Sequence, residues 1–196
     1  MLRKLLKDPT LLILLLGNLW CIYYYTQYTQ GFNTIVWIYW CQSVIIGLFN
    51  ALDLFTLQDY DPGDMRLNDK PITAANKGCL PLFFMVHYGI FHLVYFVFIA
   101  AKYHKGTDFQ LILISIAVLL IEGIIAFRRA KQNEKVFKTN IGVMFFLPYL
   151  RIVPMHLMIL VPAFLHITPS IVFLILKTGA DLLFYSISKR FLYKKA

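Results

Sequence analysis

Long apolar runs, each near the length of a membrane-crossing helix, alternate with short polar connections along the chain. The runs fall at about 10–28, 33–57, 80–101, 109–127, 142–165 and 168–188. At about 1.5 Å per helical residue, roughly 20 residues cross ~30 Å of hydrocarbon. The breaks carry turn chemistry: Gln30-Gly31, the loop DYDPGDMRLNDKP, then KYHKGTD, FRRAKQNEKVFK and the tight, uncharged HITPS. Nothing resembles the short alternating strands of a membrane barrel. The pattern predicts an all-α, polytopic bundle of about six transmembrane helices, forming a single transmembrane domain over residues 1–196.

The first run needs separate treatment. MLRKLLK ahead of LLILLLG imitates a signal peptide. The apolar run continues to residues 23–25, however, with no small-x-small cleavage site. Trp20 before Cys21 is too bulky for a lipoprotein site. An uncleaved first span is expected.

Composition points the same way. The chain is 59% hydrophobic and 15% charged, with a mean hydropathy of +0.66. A soluble domain carries about 25% charged residues. The charge is unevenly placed. If the N-terminus is cytoplasmic, 15 of the 19 lysines and arginines lie on cytoplasmic segments. Lys102 and Lys105 lie outside, and Arg151 and Lys177 lie within spans. Cytoplasmic loops of membrane proteins carry such an excess, so both termini are expected inside the cell membrane. The net charge of +9 then marks topology, with some attraction to anionic lipid. The expected partner is the lipid bilayer, with an oligomer or membrane partner left open. Nucleic acid is not expected, because no soluble domain presents a basic patch.

Three cysteines, Cys21, Cys41 and Cys79, show no CxxC spacing, so no zinc ribbon or redox pair is expected. DYDPGD looks like a fragment of a calcium loop, but Lys70 stands where its closing glutamate would fall. A solvated turn is expected there. The aromatic residues 23–25, Trp37, Tyr39, Trp40 and Tyr103 read as an outer interfacial belt.

Candidate chemistry must come from polar groups inside the spans, which are costly in lipid and face the bundle interior. In the second span Gln42, Asn50 and Asp53 fall near one stripe. Ser43, Gly47 and Ala51 form a seam of small residues that admits a close neighbour. In the third span Tyr88, His92 and Tyr95 share a face, with His87 beside it. The fourth carries Glu122, near Arg128. The fifth carries Arg151 and His156. Arg151 is expected to snorkel to the cytoplasmic interface, with Pro148 breaking the helix and IGVMFFLPY as a partly interfacial lead-in. In the sixth, Lys177 and Asp181 stand four residues apart, where they can neutralise each other on one helix. Depth counting brings Gln42, His92, His156 and Lys177 to similar levels, so His87 or His92 is expected to meet His156. The candidate buried site is therefore Gln42, His87, His92, Tyr95, Arg151, His156, Lys177 and Asp181. Against this stands the plainer reading of the histidines as interhelical packing bonds. His104 and His166 fall in outer loops and are given no role.

YWCQSVIIGLFNALDLF, FFMVHYGIF, PYLRIVPMH and LKTGADL occur in that order. Together they resemble an uncharacterised family of small bacterial and archaeal multi-pass membrane proteins, a domain of unknown function, from about residue 37 onward. The resemblance implies that His87, Tyr88, Gly89, Arg151, His156, Lys177 and Asp181 are characteristic positions. It implies no assigned activity and leaves any cofactor unknown. The family pattern has an acidic residue where this chain has Gln42, and a second histidine where it has Tyr95. An amide and a phenol are poor substitutes for those metal ligands. His87 and His92, five residues apart, diverge by about 140° on a helix. No stoichiometric transition metal is expected.

Three function classes follow. An ion-, proton- or solute-handling protein would use the polar cluster as its site, with Pro154 and Pro162 breaking the backbone nearby. An intramembrane enzyme would use His87, His92 and His156 as ligands or acid–base groups, with Asp181 orienting one of them. An accessory subunit would use the cluster for packing alone. Neither Gly-x-Ser-x-Gly nor HExxH occurs. Transport or ion handling is favoured over catalysis.

Overall fold

A computed structural model describes residues 9–28, 31–67, 69–73, 77–157 and 170–195. Helices fall in the described part of each predicted span: α1 (Pro9–Gln27), α2 (Gly31–Thr56), α3 (Cys79–Lys102), α4 (Phe109–Glu134), the short α5 (Ile141–Phe146) and α6 (Ser170–Phe191). After α5 the chain tightens into a 3₁₀ turn, Leu147–Arg151, and returns to α-helix over 152–157. Pro148 stands at the start of that turn, where its missing N–H disrupts an α ladder least. Pro162, His166 and most of HITPS lie outside the described residues. Among the described residues three helices, α2, α3 and α4, are long and apolar enough to cross a membrane.

α2 is the hub. It packs against α1, α3, α4, α5 and the 3₁₀ turn. Its buried side includes Phe32, Ile35, Val36, Tyr39, Ser43, Gly47, Ala51 and Leu54, spaced by three and four residues as one helical face requires. The small-residue seam works as expected, but a side chain fills it rather than a backbone. The Tyr88 ring lies against Gly47, and Phe49 lies on Gly123 of α4 in the same way.

The connections gather at two ends. At one end a small sheet joins β1 (Tyr60–Asp61), β4 (Phe137–Asn140) and β5 (Tyr193–Lys195), with β4 central, parallel to β1 and antiparallel to β5. A hairpin of β2 (Arg66–Leu67) and β3 (Lys70–Pro71) completes the second connection. Segments following α2, α4 and α6 thus meet in one place. Nearby, Lys131 bridges Asp53 at 3.4 Å and Glu134 at 2.7 Å. Lys77 donates to the Leu57 carbonyl. Burial, then the charge of Lys131, lowers the pKa of Lys77. At the other end, Asn33 and Trp37 of α2 donate to the carbonyls of Lys105 and Tyr103. The Asp108 carboxylate caps α4 by accepting from the Leu111 N–H at 3.0 Å.

α4 differs from the others. Ile112 is its one buried residue, while Leu113, Ile114, Val118, Ile121 and Ile125 are exposed. α3 likewise leaves Leu82, Val86, Ile90, Leu93 and Val97 uncovered.

Candidate functional site: a buried charged cluster

The sixth span places Lys177 and Asp181 one turn apart on α6, and their pairing is direct. Lys177 Nζ donates to Asp181 Oδ2 at 3.0 Å. They are not alone. Arg151, delivered by the 3₁₀ turn, brings Nη2 to 2.8 Å from Asp181 Oδ1, close enough for an ion pair but poorly directed as a hydrogen bond. Arg151 is 3% exposed, Lys177 5% and Asp181 2%. The snorkelling expected of Arg151 is therefore wrong. A carboxylate on a different helix offers what water at the interface would have offered, and depth counting along one helix cannot see it. The Lys177–Asp181 pair is correspondingly not a self-neutralised unit but part of a triad with two cations.

Two residues given no part in the site complete it. Asn18 of α1 sits between the charges. Its Oδ1 accepts from Lys177 Nζ at 2.9 Å and faces the Thr178 hydroxyl at 3.1 Å. Its Nδ2 donates to Asp181 Oδ2 at 3.2 Å and to the Leu14 carbonyl at 2.9 Å. Donors on one side and acceptors on the other leave the amide a single sensible orientation. Tyr39, expected in the outer belt, is fully buried. Its hydroxyl donates to the Arg151 carbonyl at 3.2 Å. Its ring lies 5.9 Å from the Arg151 guanidinium and 5.4 Å from Lys177 Nζ, within reach of a cation–π attraction. Phe184 approaches the guanidinium on another side, at 5.2 Å. Arg151 Nε and Nη1 are buried without a hydrogen-bond partner.

The histidines fall elsewhere, and separately. His92 Nδ1 bonds the Tyr88 carbonyl one turn back at 2.9 Å. That bond places the proton on Nδ1 and leaves Nε2 to accept from Ser43 Oγ at 2.9 Å. Ser43 Oγ in turn lies 2.8 Å from the Tyr88 hydroxyl. The ring of bonds is closed and neutral, and none of its atoms is orphaned. His156 meets the Tyr95 hydroxyl through Nδ1. His87 is exposed and meets Tyr149 at 2.9 Å. The expected meeting of His156 with His87 or His92 does not appear among the contacts of the described residues. His156 joins α3 through Tyr95 and Phe91 instead. The five-residue spacing accounts for this: His87 and His92 occupy different sides of α3, one outward and one against α2. Gln42 is half-buried on α2 and joins neither group. Among the described residues no three of His, Cys, Asp or Glu are grouped to hold a metal ion.

An apolar helical bundle built around a buried charged cluster is thus the class of protein at hand. The chain belongs to a family of unknown function (DUF6498), whose model matches residues 1–195. No curated protein and no solved structure matches it.

Proposed function

We propose that this chain is a six-span integral membrane protein with both termini in the cytoplasm, whose charged cluster at Arg151, Lys177 and Asp181 handles an ion, a proton or a small solute. One observation carries this reading: two cations and one carboxylate lie more than nine-tenths buried in a bundle of apolar helices. Charge there is expensive, and an ionisable group inside a membrane is by default a functional-site hypothesis. The exposed apolar faces of α3 and α4 suit lipid contact. The single sheet formed after α2, α4 and α6 supports alternating spans with the basic connections on one side. The histidine-based enzyme is less well supported, since His87, His92 and His156 each turn to a different partner.

Two experiments test the parts separately. In a variant lacking Cys21, Cys41 and Cys79, single cysteines at positions 105 and 133 are probed with an impermeant thiol reagent on intact cells. Labelling at 105 alone is expected, and labelling at 133 from outside refutes the topology. For transport, proteoliposomes are challenged with gradients of salts and small solutes while internal volume and pH are followed. A flux above that of empty vesicles, lost in Lys177→Met, is expected. Equal flux in all three preparations removes the transport reading.

A further inference from the structure

The charged cluster is short of one negative charge. Arg151 and Lys177 face the single carboxylate of Asp181, and Asn18, Tyr39 and Thr178 are neutral. Among the described residues, Asp181 is the one acidic side chain paired with Arg151 or Lys177. Residues 135–180 contain no Asp or Glu. Asp53 and Glu134 are bound to Lys131, Asp108 caps α4, and Glu122 is exposed on α4.

The missing charge has a definite address. Lys177 spends two of its three N–H bonds, on Asn18 and Asp181. Arg151 has buried Nε and Nη1 without partners, so three of its five N–H hydrogens are unused. The nearby Tyr39 and Phe184 rings offer a quadrupole, not a lone pair. A buried cation with idle donors calls for an anionic acceptor.

We propose that the cluster binds one small monovalent anion, a halide or a carboxylate, at the free N–H groups of Arg151. The net surplus is one charge, so a monovalent ligand neutralises the site where a divalent one would reverse it. This rests on the solute-handling reading and names its ligand class.

The test uses the full chain in detergent, with unfolding followed by tryptophan fluorescence. Sodium gluconate, whose anion is bulky, sets the baseline. Sodium chloride or sodium acetate replaces it at constant ionic strength. A saturable rise in Tm is expected with at least one of them: chloride alone marks a halide site, acetate alone a carboxylate site, and both a site that reads charge. Arg151→Met keeps the neutral Lys177–Asp181 pair and loses the response. Arg151→Lys keeps the charge but not the fork, and its midpoint rises about tenfold. Asp181→Asn raises the surplus to two, and its midpoint falls about tenfold. No saturable response in folded wild-type protein, or an unchanged response in Arg151→Met, overturns the proposal. Should Arg151→Met fail to fold, an undiminished response in Arg151→Lys overturns it instead. Anion binding without flux in proteoliposomes supports the site and removes transport. Flux of cations or neutral solutes with no anion response overturns the site and leaves transport standing.

Discussion

Two of the polar clusters in this bundle are built on opposite rules. The one between α2 and α3, made of Ser43, Tyr88 and His92, is neutral and closed, with each polar atom answered by another. The one among α1, α6 and the 3₁₀ turn, made of Asn18, Arg151, Lys177 and Asp181, is charged, unbalanced and left with idle donors. Closure is what packing needs, because a satisfied neutral network fixes one arrangement of two helices at little electrostatic cost. An open, charged cluster lowers stability unless something else completes it. On the proposed reading, the difference separates a group that fixes helix packing from a group with capacity for a ligand.

The sharpest test of that contrast is at Asp181. Asp181→Asn leaves two buried cations with no counter-charge, and breaking a buried ion pair from one side costs about 3–5 kcal/mol. Unfolding of the variant in gluconate, compared with wild type, should show a loss of that order. Arg151→Met removes the surplus instead and leaves Lys177 paired with Asp181. Its change should stay within about 2 kcal/mol, since an apolar side chain beside Tyr39 and Phe184 is well accommodated. Equal losses in the two variants would falsify the idea that charge imbalance defines this cluster.

Why one cluster was legible in the sequence and the other only half so follows from how each is assembled. The helices announce themselves, because apolar runs of about 20 residues have few alternatives. Tyr88 and His92 share a face by spacing alone, and the seam of Ser43, Gly47 and Ala51 points to a close neighbour. Lys177 and Asp181 are visible for the same reason. Arg151 is not, because its partner lies 30 residues away on another element, and a lone charge near a helix end reads as snorkelling. Asn18 is hidden by its surroundings in a leucine-rich run, though a neutral amide inside a span is itself a signal worth following. Tyr39 lies between Trp37 and Trp40 in sequence and so reads as part of an aromatic belt. Its helical phase, four residues from Ile35 and Ser43, puts it on the buried side instead. The strands of the small sheet are two to four residues long and exist only because three connections meet, so no local pattern predicts them.

The next largest effect concerns how the neutral cluster is seated. A Cβ added at Gly47 would stand 2.8 Å from Tyr88 Cδ1 and 3.3 Å from Cζ. The ring cannot withdraw without releasing its hydroxyl from Ser43. Gly47→Ala should therefore cost about 1–3 kcal/mol, as overpacking of a tight core does. At Gly179 a Cβ meets nothing within 4 Å, so Gly179→Ala serves as the control and should not destabilise. The reverse ranking of the two variants in thermal unfolding would mean that the α2–α3 contact is looser than described.

Within the closed network, Ser43→Ala removes the donor to His92 Nε2 and the neighbour of the Tyr88 hydroxyl. Tyr88 keeps the Ser43 backbone carbonyl at 3.1 Å, so only the histidine nitrogen is orphaned. Interhelical bonds of this kind contribute roughly 0.6–2 kcal/mol in membrane proteins. The loss should sit in that range and should be the same in gluconate and chloride. An anion-dependent loss would couple the two clusters and break the distinction between them.

The smallest effect expected is at the basic end of the bundle. Lys138 Nζ lies 3.8 Å from Asp59 Oδ1, with side chains 49% and 61% exposed. The charges match those of Lys177 and Asp181, but water reaches both groups. Exposed pairs contribute about 0–1 kcal/mol and weaken with salt. A double-mutant cycle of Lys138→Ala and Asp59→Ala should give a coupling in that range, shrinking further at high ionic strength. The same cycle at Arg151 and Asp181, run in sodium gluconate, should give a larger coupling that ionic strength hardly changes, because the Debye atmosphere does not reach a buried pair. If both couplings were small and equally sensitive to salt, the cluster would be in contact with water in the folded protein. Arg151 would then need no bound anion, since solvent would already occupy its free N–H groups.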